Sequence, residues 1–166
     1  SNNNHRVDRW VRDKKQKEEM ENTRENKRYL PGITIPENIN ITDDISEAIH
    51  NKELLVLSIP SHGIRNILND SKRYFGSGQI IVNVAKGIEN DTLLRISQIV
   101  SDILPGNPYA VLSGPSHAEE VARKIPTTVV SASEKRQVAE YVQDIFMSPF
   151  FRVYTSPDGT QHLPVE

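Results

Sequence analysis

The sequence predicts an α/β fold built on a doubly wound parallel sheet. Strand-like and helix-like stretches alternate along its 166 residues, the pattern that puts helices on the faces of a sheet. Two apolar runs, Ile80-Ile81-Val82-Asn83-Val84-Ala85 and Tyr109-Ala110-Val111-Leu112, read as buried strands. Each passes directly into a short loop suited to an anion, Lys86-Gly87 after the first and Ser113-Gly114-Pro115-Ser116 after the second. In an open parallel sheet ligands lie beyond the carboxyl ends of the strands, so these loops are the first candidates for chemistry.

Taken in order, residues 7–11 form a short strand interrupted by charge. Residues 13–28 carry both signs of charge around Met20, their one large apolar residue, so a helix there lies on the surface. Tyr29-Leu30-Pro31-Gly32 breaks it, and residues 33–41 are extended with Pro36 interrupting. Thr42 or Asp43 caps a short helix carrying Ile45, Ala48 and Ile49. Residues 54–59 have the continuous apolar character of a strand buried on both faces. Pro60 and Ser61 end that strand and open a helix with Ile64, Ile67 and Leu68 on one face. Residues 93–104 form a further amphipathic helix closed by Pro105-Gly106. Residues 127–131 form a strand, residues 134–146 a helix capped by Ser133, and residues 151–154 a last strand. No repeat or low-complexity linker divides the chain, which is long enough for one domain with a core of its own.

Composition narrows the function without choosing it. With no cysteine there is no disulfide, thiolate nucleophile or cysteine metal site. A net charge of −2 and sparse aromatics give no reason to expect nucleic-acid binding. No apolar stretch approaches the roughly 20 residues of a membrane span, and Ser1-Asn2-Asn3-Asn4 is no signal peptide, so a cytoplasmic location is expected. At the loops, Lys86 supplies a mobile positive charge and Gly87 leaves the backbone open to a ligand. Gly114 permits a tight turn, Pro115 suits the first position of a helix, and the amides after it would face a ligand. Ser116 reads equally as a helix-start hydroxyl, with no base patterned to make it a nucleophile. His62 and His117 have no partners at metal-ligand spacing.

Five strings in register carry a resemblance: Tyr29-Leu30-Pro31-Gly32, Ile59-Pro60-Ser61-His62, Val84-Ala85-Lys86-Gly87-Ile88-Glu89, the run from Leu112-Ser113-Gly114-Pro115-Ser116-His117 through Ala118-Glu119-Glu120-Val121, and Phe151-Arg152-Val153-Tyr154. Together, over residues 5–156, the chain resembles the bacterial NAD(P)-dependent glycerol-3-phosphate dehydrogenases. The resemblance implies a Rossmann-like cofactor domain and reduction of dihydroxyacetone phosphate to sn-glycerol 3-phosphate, a phospholipid precursor, with NADP or NAD as cofactor. It also implies a homodimer for the intact enzyme. The family's first strand and G-x-G-x-x-G turn are not in this sequence, nor is its helical substrate domain with the catalytic lysine. Residues 5–156 are therefore expected to be a partial dinucleotide-binding domain, inactive alone, and residues 157–166 a tail that departs from the family.

Residue by residue, the resemblance places the cofactor at Arg12, Tyr29, Pro60, Lys86 and Ala118, and the substrate at Lys86, Gly114 and Ser116. An Arg12 guanidinium suits the 2'-phosphate of NADP, whereas Asp13 beside it suits the ribose hydroxyl of NAD. Arg12 reads equally as a surface arginine, and Tyr29 as a packing residue. Two other functions stay open: another two-domain NAD(P)-dependent dehydrogenase, and a non-catalytic α/β domain that binds a nucleotide or a protein.

Overall fold

The computed structural model describes residues 5–156; the expected divergent tail lies outside the described residues. The first third of the chain holds β1 (Val7–Trp10), α1 (Lys14–Thr23), β2 (Glu25–Asn26), β3 (Leu30–Thr34), β4 (Ile39–Thr42) and α2 (Ile45–Ile49). The remainder holds β5 (Leu54–Leu57), α3 (Ser61–Ser71), β6 (Ile80–Asn83), α4 (Ile96–Ile103), β7 (Tyr109–Ser113), α5 (Ala118–Ala122), β8 (Thr127–Ala132), α6 (Arg136–Phe146) and β9 (Phe151–Thr155). A five-stranded sheet runs in the order β5-β6-β7-β8-β9, while β1 pairs with β4 and β2 with β3.

Alternation along β6 explains why helices cover both faces of this sheet. Ile81 points into a cluster with Leu57, Ile64, Leu68, Ile99 and Val100, which α3 and α4 close. Its neighbour Val82 points the other way, into a cluster with Ala110, Leu112, Val129, Val142 and Val153, which α6 closes. Both residues are wholly buried, each contributing about 1.5–3 kcal/mol. The doubly wound expectation therefore holds, with one modification: β5, β6 and β7 are parallel, but β8 runs antiparallel to β7 and carries β9 parallel to itself.

A third, smaller cluster of Val11, Met20, Ile35 and Ile41 seats α1 against β4. Met20 is wholly buried there although its helix is polar elsewhere. That helix stops at Thr23, well short of residue 28, because Arg24 turns into the left-handed region at φ 50°. The Arg24 guanidinium donates to the carbonyls of Pro36 and Ile39, so a tertiary bond ends the helix where no glycine or proline marks it. Consequently Leu30, Pro31 and Gly32, expected in a break, form part of the β2–β3 hairpin.

Three helix starts also differ from expectation. Asp44, not Thr42 or Asp43, caps α2 by accepting from the amides of Ser46 and Glu47, while Thr42 Oγ1 accepts from Asp44 N at 3.1 Å. The Ser133 hydroxyl accepts from Lys135 N at 3.4 Å and donates to the Tyr109 carbonyl, but α6 begins only at Arg136, with Lys135 as its cap. Helix α4 begins at Ile96, because Leu93 lies in the left-handed region at φ 56° inside a small hairpin.

Strand β5 is not buried on both faces: Val56 is 45% exposed. Among the described residues β5 pairs only with β6, and β1 only with β4, so each has an open edge, and no apolar cluster encloses Val56. An ion pair between Lys52 and Asp8 links the N-terminal ends of these two strands, and it holds the Asp8 carboxyl below the usual range. Unpaired apolar edges template association. The 166-residue chain is expected to self-associate, and Val56→Lys to raise its monomer fraction in analytical ultracentrifugation; an unchanged distribution would place the contact elsewhere.

Candidate functional site

Register decides what gathers at one end of the sheet. Leu57 pairs with Asn83, and Asn83 with Val111, so the loops after β5, β6 and β7 emerge along one edge. Strand β8 starts from that edge, with Val130 opposite Ser113. The chain after β5 turns into α3 at Pro60, whose carbonyl accepts from Gly63 N at 2.9 Å. Next to it stands Gly87, at φ +98°. A Cβ at Gly87 would lie 3.4 Å from Ser61 Oγ, so Pro60-Ser61 and Lys86-Gly87 form one continuous rim. Lys86 is exposed and makes no hydrogen bond or ion pair among the described residues.

Both ends of the Lys86 loop are fixed. At its start the buried Asn83 amide folds onto Ala85, accepting from its N–H at 3.0 Å and donating to its carbonyl at 2.9 Å. At its end the buried Glu89 accepts from Arg65 Nε at 2.8 Å and Nη2 at 2.9 Å, and from the Thr92 hydroxyl. Those bonds hold the Glu89 carboxyl below its ordinary acidity range, with Arg65 the largest cause. The sequence reading passed over Asn83, Arg65 and Glu89 as functional residues. One signal was available for Asn83, a lone amide inside an apolar run. Arg65 and Glu89 are 24 residues apart, and nothing local marks their pairing.

The loop after β7 is built differently from expectation. Pro115 does not open a helix; α5 starts at Ala118 after His117. The Ser116 amide donates to the Gly114 carbonyl at 2.8 Å, with the hydroxyl 3.4 Å from the same oxygen, so this amide is spent within the loop. Gly114 is pressed against β8: a Cβ there would come 2.8 Å from Thr128 O and 2.9 Å from Val129 Cα. The exposed Ala118 lies on α5, which stands beside β3, bringing the β2–β3 hairpin toward this edge.

Tyr29, in that hairpin, is 61% exposed, with the Arg28 guanidinium 5.0 Å from its ring centroid; it is no core packing residue. Arg12 follows β1, exposed and without an ion pair among the described residues. Asp13 caps α1, its Oδ1 accepting from Lys15 N at 2.8 Å and Gln16 N at 3.4 Å, which commits one carboxylate oxygen to the helix. Arg12 belongs to the β1–β4 pair, apart from the sheet that carries Lys86. Among the described residues no cluster of histidines and carboxylates is arranged to hold a metal ion, and no helix is long and apolar enough to cross a membrane.

Comparison with known proteins identifies the family. Residues 1–139 match the family model described as NAD-dependent glycerol-3-phosphate dehydrogenase N-terminus. The glycerol-3-phosphate dehydrogenase (NAD(P)+) of Fusobacterium nucleatum is 50% identical over 158 residues, covering 94% of this chain and 47% of that protein. That of a Thermoanaerobacter species is 47% identical over 154 residues, covering 93% and 46%. Among solved structures, the glycerol-3-phosphate dehydrogenase of Coxiella burnetii superposes with a TM-score of 0.86 at 27% identity, covering 92% of this chain and 47% of that one. The chain thus spans about half the length of the relatives it matches. On the family match and these identities, the chain belongs to the NAD-dependent glycerol-3-phosphate dehydrogenase N-terminal family.

Proposed function

We propose that this chain is the partial cofactor domain of an oxidoreductase that interconverts dihydroxyacetone phosphate and sn-glycerol 3-phosphate with NADPH or NADH, supplying a phospholipid precursor in the cytoplasm. The carrying observation is Lys86: an uncommitted cation beyond the end of β6, on a loop anchored at both ends, in a chain half identical to enzymes of that name. When bound, the nicotinamide supplies or accepts the hydride. The chain's own residues bind and orient. Lys86 compensates negative charge on the phosphate-bearing ligands and on the substrate oxygen, and Arg12 meets the adenosine end of the cofactor. Pro60, Tyr29 and Ala118 bound the cofactor's path, and Gly114 and Ser116 the substrate side.

The residues present fit such a cofactor in part. Two exposed cations, unpaired among the described residues, stand after β1 and after β6, as a phosphate-rich dinucleotide requires. Among the described residues β1 and β5 each have an open edge, and an ion pair joins their N-terminal ends, so the first strand of a doubly wound sheet, whose glycine turn seats the pyrophosphate, would lie between them. With one Asp13 oxygen held by α1, Arg12 favours NADP. In keeping with the resemblance, the intact enzyme is a homodimer with a helical substrate domain.

The test is oxidation of NADPH by the full-length protein in the presence of dihydroxyacetone phosphate, with Arg12→Ala alongside. Activity is expected with that substrate, and Arg12→Ala should weaken NADPH binding about tenfold with NADH binding unchanged. Binding of neither nucleotide would leave the non-catalytic domain as the better reading.

A further inference from the structure

We propose that Arg65, on α3, is a positioning residue that fixes the place of Lys86 by anchoring Glu89, and that its effect on ligands passes through Lys86. This rests on the reading of Lys86 given above. Lys86, Gly87 and Ile88 are strung between two anchorages. The Asn83 side chain holds the chain at Ala85 on one side. On the other, Glu89 closes a small hairpin, its N–H donating to the Leu94 carbonyl at 3.0 Å and its carbonyl accepting from Leu93 N at 2.9 Å, while Ile88 bridges to Arg95.

That hairpin is tied to the domain by the Arg65 fork on the Glu89 carboxylate. A two-bonded guanidinium fixes direction as well as distance. Gly87 sits between the anchors at φ +98°, where glycine meets little steric resistance, so it is the joint about which Lys86 swings once the Glu89 end is released. The hairpin also holds Leu93, a bulky residue in the left-handed region and 69% exposed, a conformation that persists only where surrounding bonds impose it.

Arg65 is not itself the ligand cation. Its guanidinium faces two carboxylates, Glu89 and, from Nη1 at 3.3 Å, Asp102 on α4. Two negative partners leave it no net attraction for an anion, whereas Lys86 has none among the described residues. A role limited to joining α3 to α4 would be served by Arg65 and Asp102 alone. It would not call for the buried Glu89 carboxylate, which costs desolvation unless paired.

Arg65→Met, Lys86→Met and the double variant, made in the full-length protein, decide the matter through two measurements. In hydrogen exchange without cofactor, Arg65→Met should speed exchange of the Glu89 and Leu93 amides, whose bonds close the hairpin, about tenfold and leave those of β8 unchanged. In kinetics it should lower kcat/KM for dihydroxyacetone phosphate about tenfold, yet change nothing further in the Lys86→Met background. Arg65→Lys, which keeps the charge and loses the fork, should behave as Arg65→Met. Should Arg65→Met fail to fold, Glu89→Gln, of equal size, carries both measurements. Unchanged exchange at the Glu89 and Leu93 amides, or an equal kinetic loss with and without Lys86, overturns the proposal. Full kcat/KM in Lys86→Met would instead remove the role given to Lys86, while exchange at the loop still decides whether Arg65 anchors it.

Discussion

In the full-length protein, Lys86→Ala is expected to lower kcat/KM for dihydroxyacetone phosphate by roughly 10²–10³-fold, the usual loss when a preorganised group that meets developing charge is removed. Stability should hardly respond. Lys86 is exposed and holds no partner among the described residues, and an exposed substitution of this kind changes folding free energy by no more than about 0.5 kcal/mol, or roughly 1–2 °C in Tm. The way the loss divides is informative. A lysine that only holds the phosphate in the ground state would raise KM and spare kcat; one that compensates charge on the reacting oxygen would lower kcat as well. Because the loop stands on β6, whose Ile81 and Val82 are wholly buried, the variant should keep the loop's place and lose only the charge. Wild-type kcat/KM in a well-folded Lys86→Ala protein would remove this residue from the site.

The parts of the fold legible in the sequence are those set by period and by continuous apolar runs. β6 and β7 could be read because their residues face apolar clusters on both sides, so no alternation is needed to identify them. α3 could be read because Ile64 and Leu68, both fully buried, repeat at helical spacing. Boundaries fixed by long-range bonds could not. Arg24 ends α1 by reaching carbonyls 12 and 15 residues away. β5 has the composition of a strand buried on both faces, yet exposure depends on which neighbours are present, and among the described residues no strand pairs with the open edge of β5, where Val56 is 45% exposed. The site divides the same way. Lys86 and Gly87 are marked by the strand they follow, whereas Arg65 and Glu89 meet only because α3 packs beside the β6 loop.

Gly114→Ala separates two roles for this glycine, close packing against β8 and contact with the substrate. Ser113 pairs with Val130, so the Gly114 Cα that follows it lies directly against the backbone of β8. An added methyl would sit 2.8 Å from Thr128 O, 2.9 Å from Val129 Cα and 3.1 Å from Val129 Cγ1. Neither backbone atom can yield cheaply. Val129 is in register with Val153 on β9, and its neighbour Val130 with Ser113 on β7, so any retreat of β8 strains two ladders. Nor is backbone torsion the constraint: Gly114 is not among the glycines at positive φ, which are Gly32, Gly78 and Gly87. Space alone demands glycine here. Overpacking against atoms that cannot move costs about 3 kcal/mol, so calorimetry of the full-length Gly114→Ala protein should show Tm lowered by roughly 6–12 °C. Were Gly114 instead kept for close approach of the substrate, the variant would melt as wild type and show only a raised KM. A loss of Tm makes the glycine first a packing residue, one that lets the loop bearing Ser116 fold flat on the sheet and leaves the edge beside Lys86 clear for a ligand.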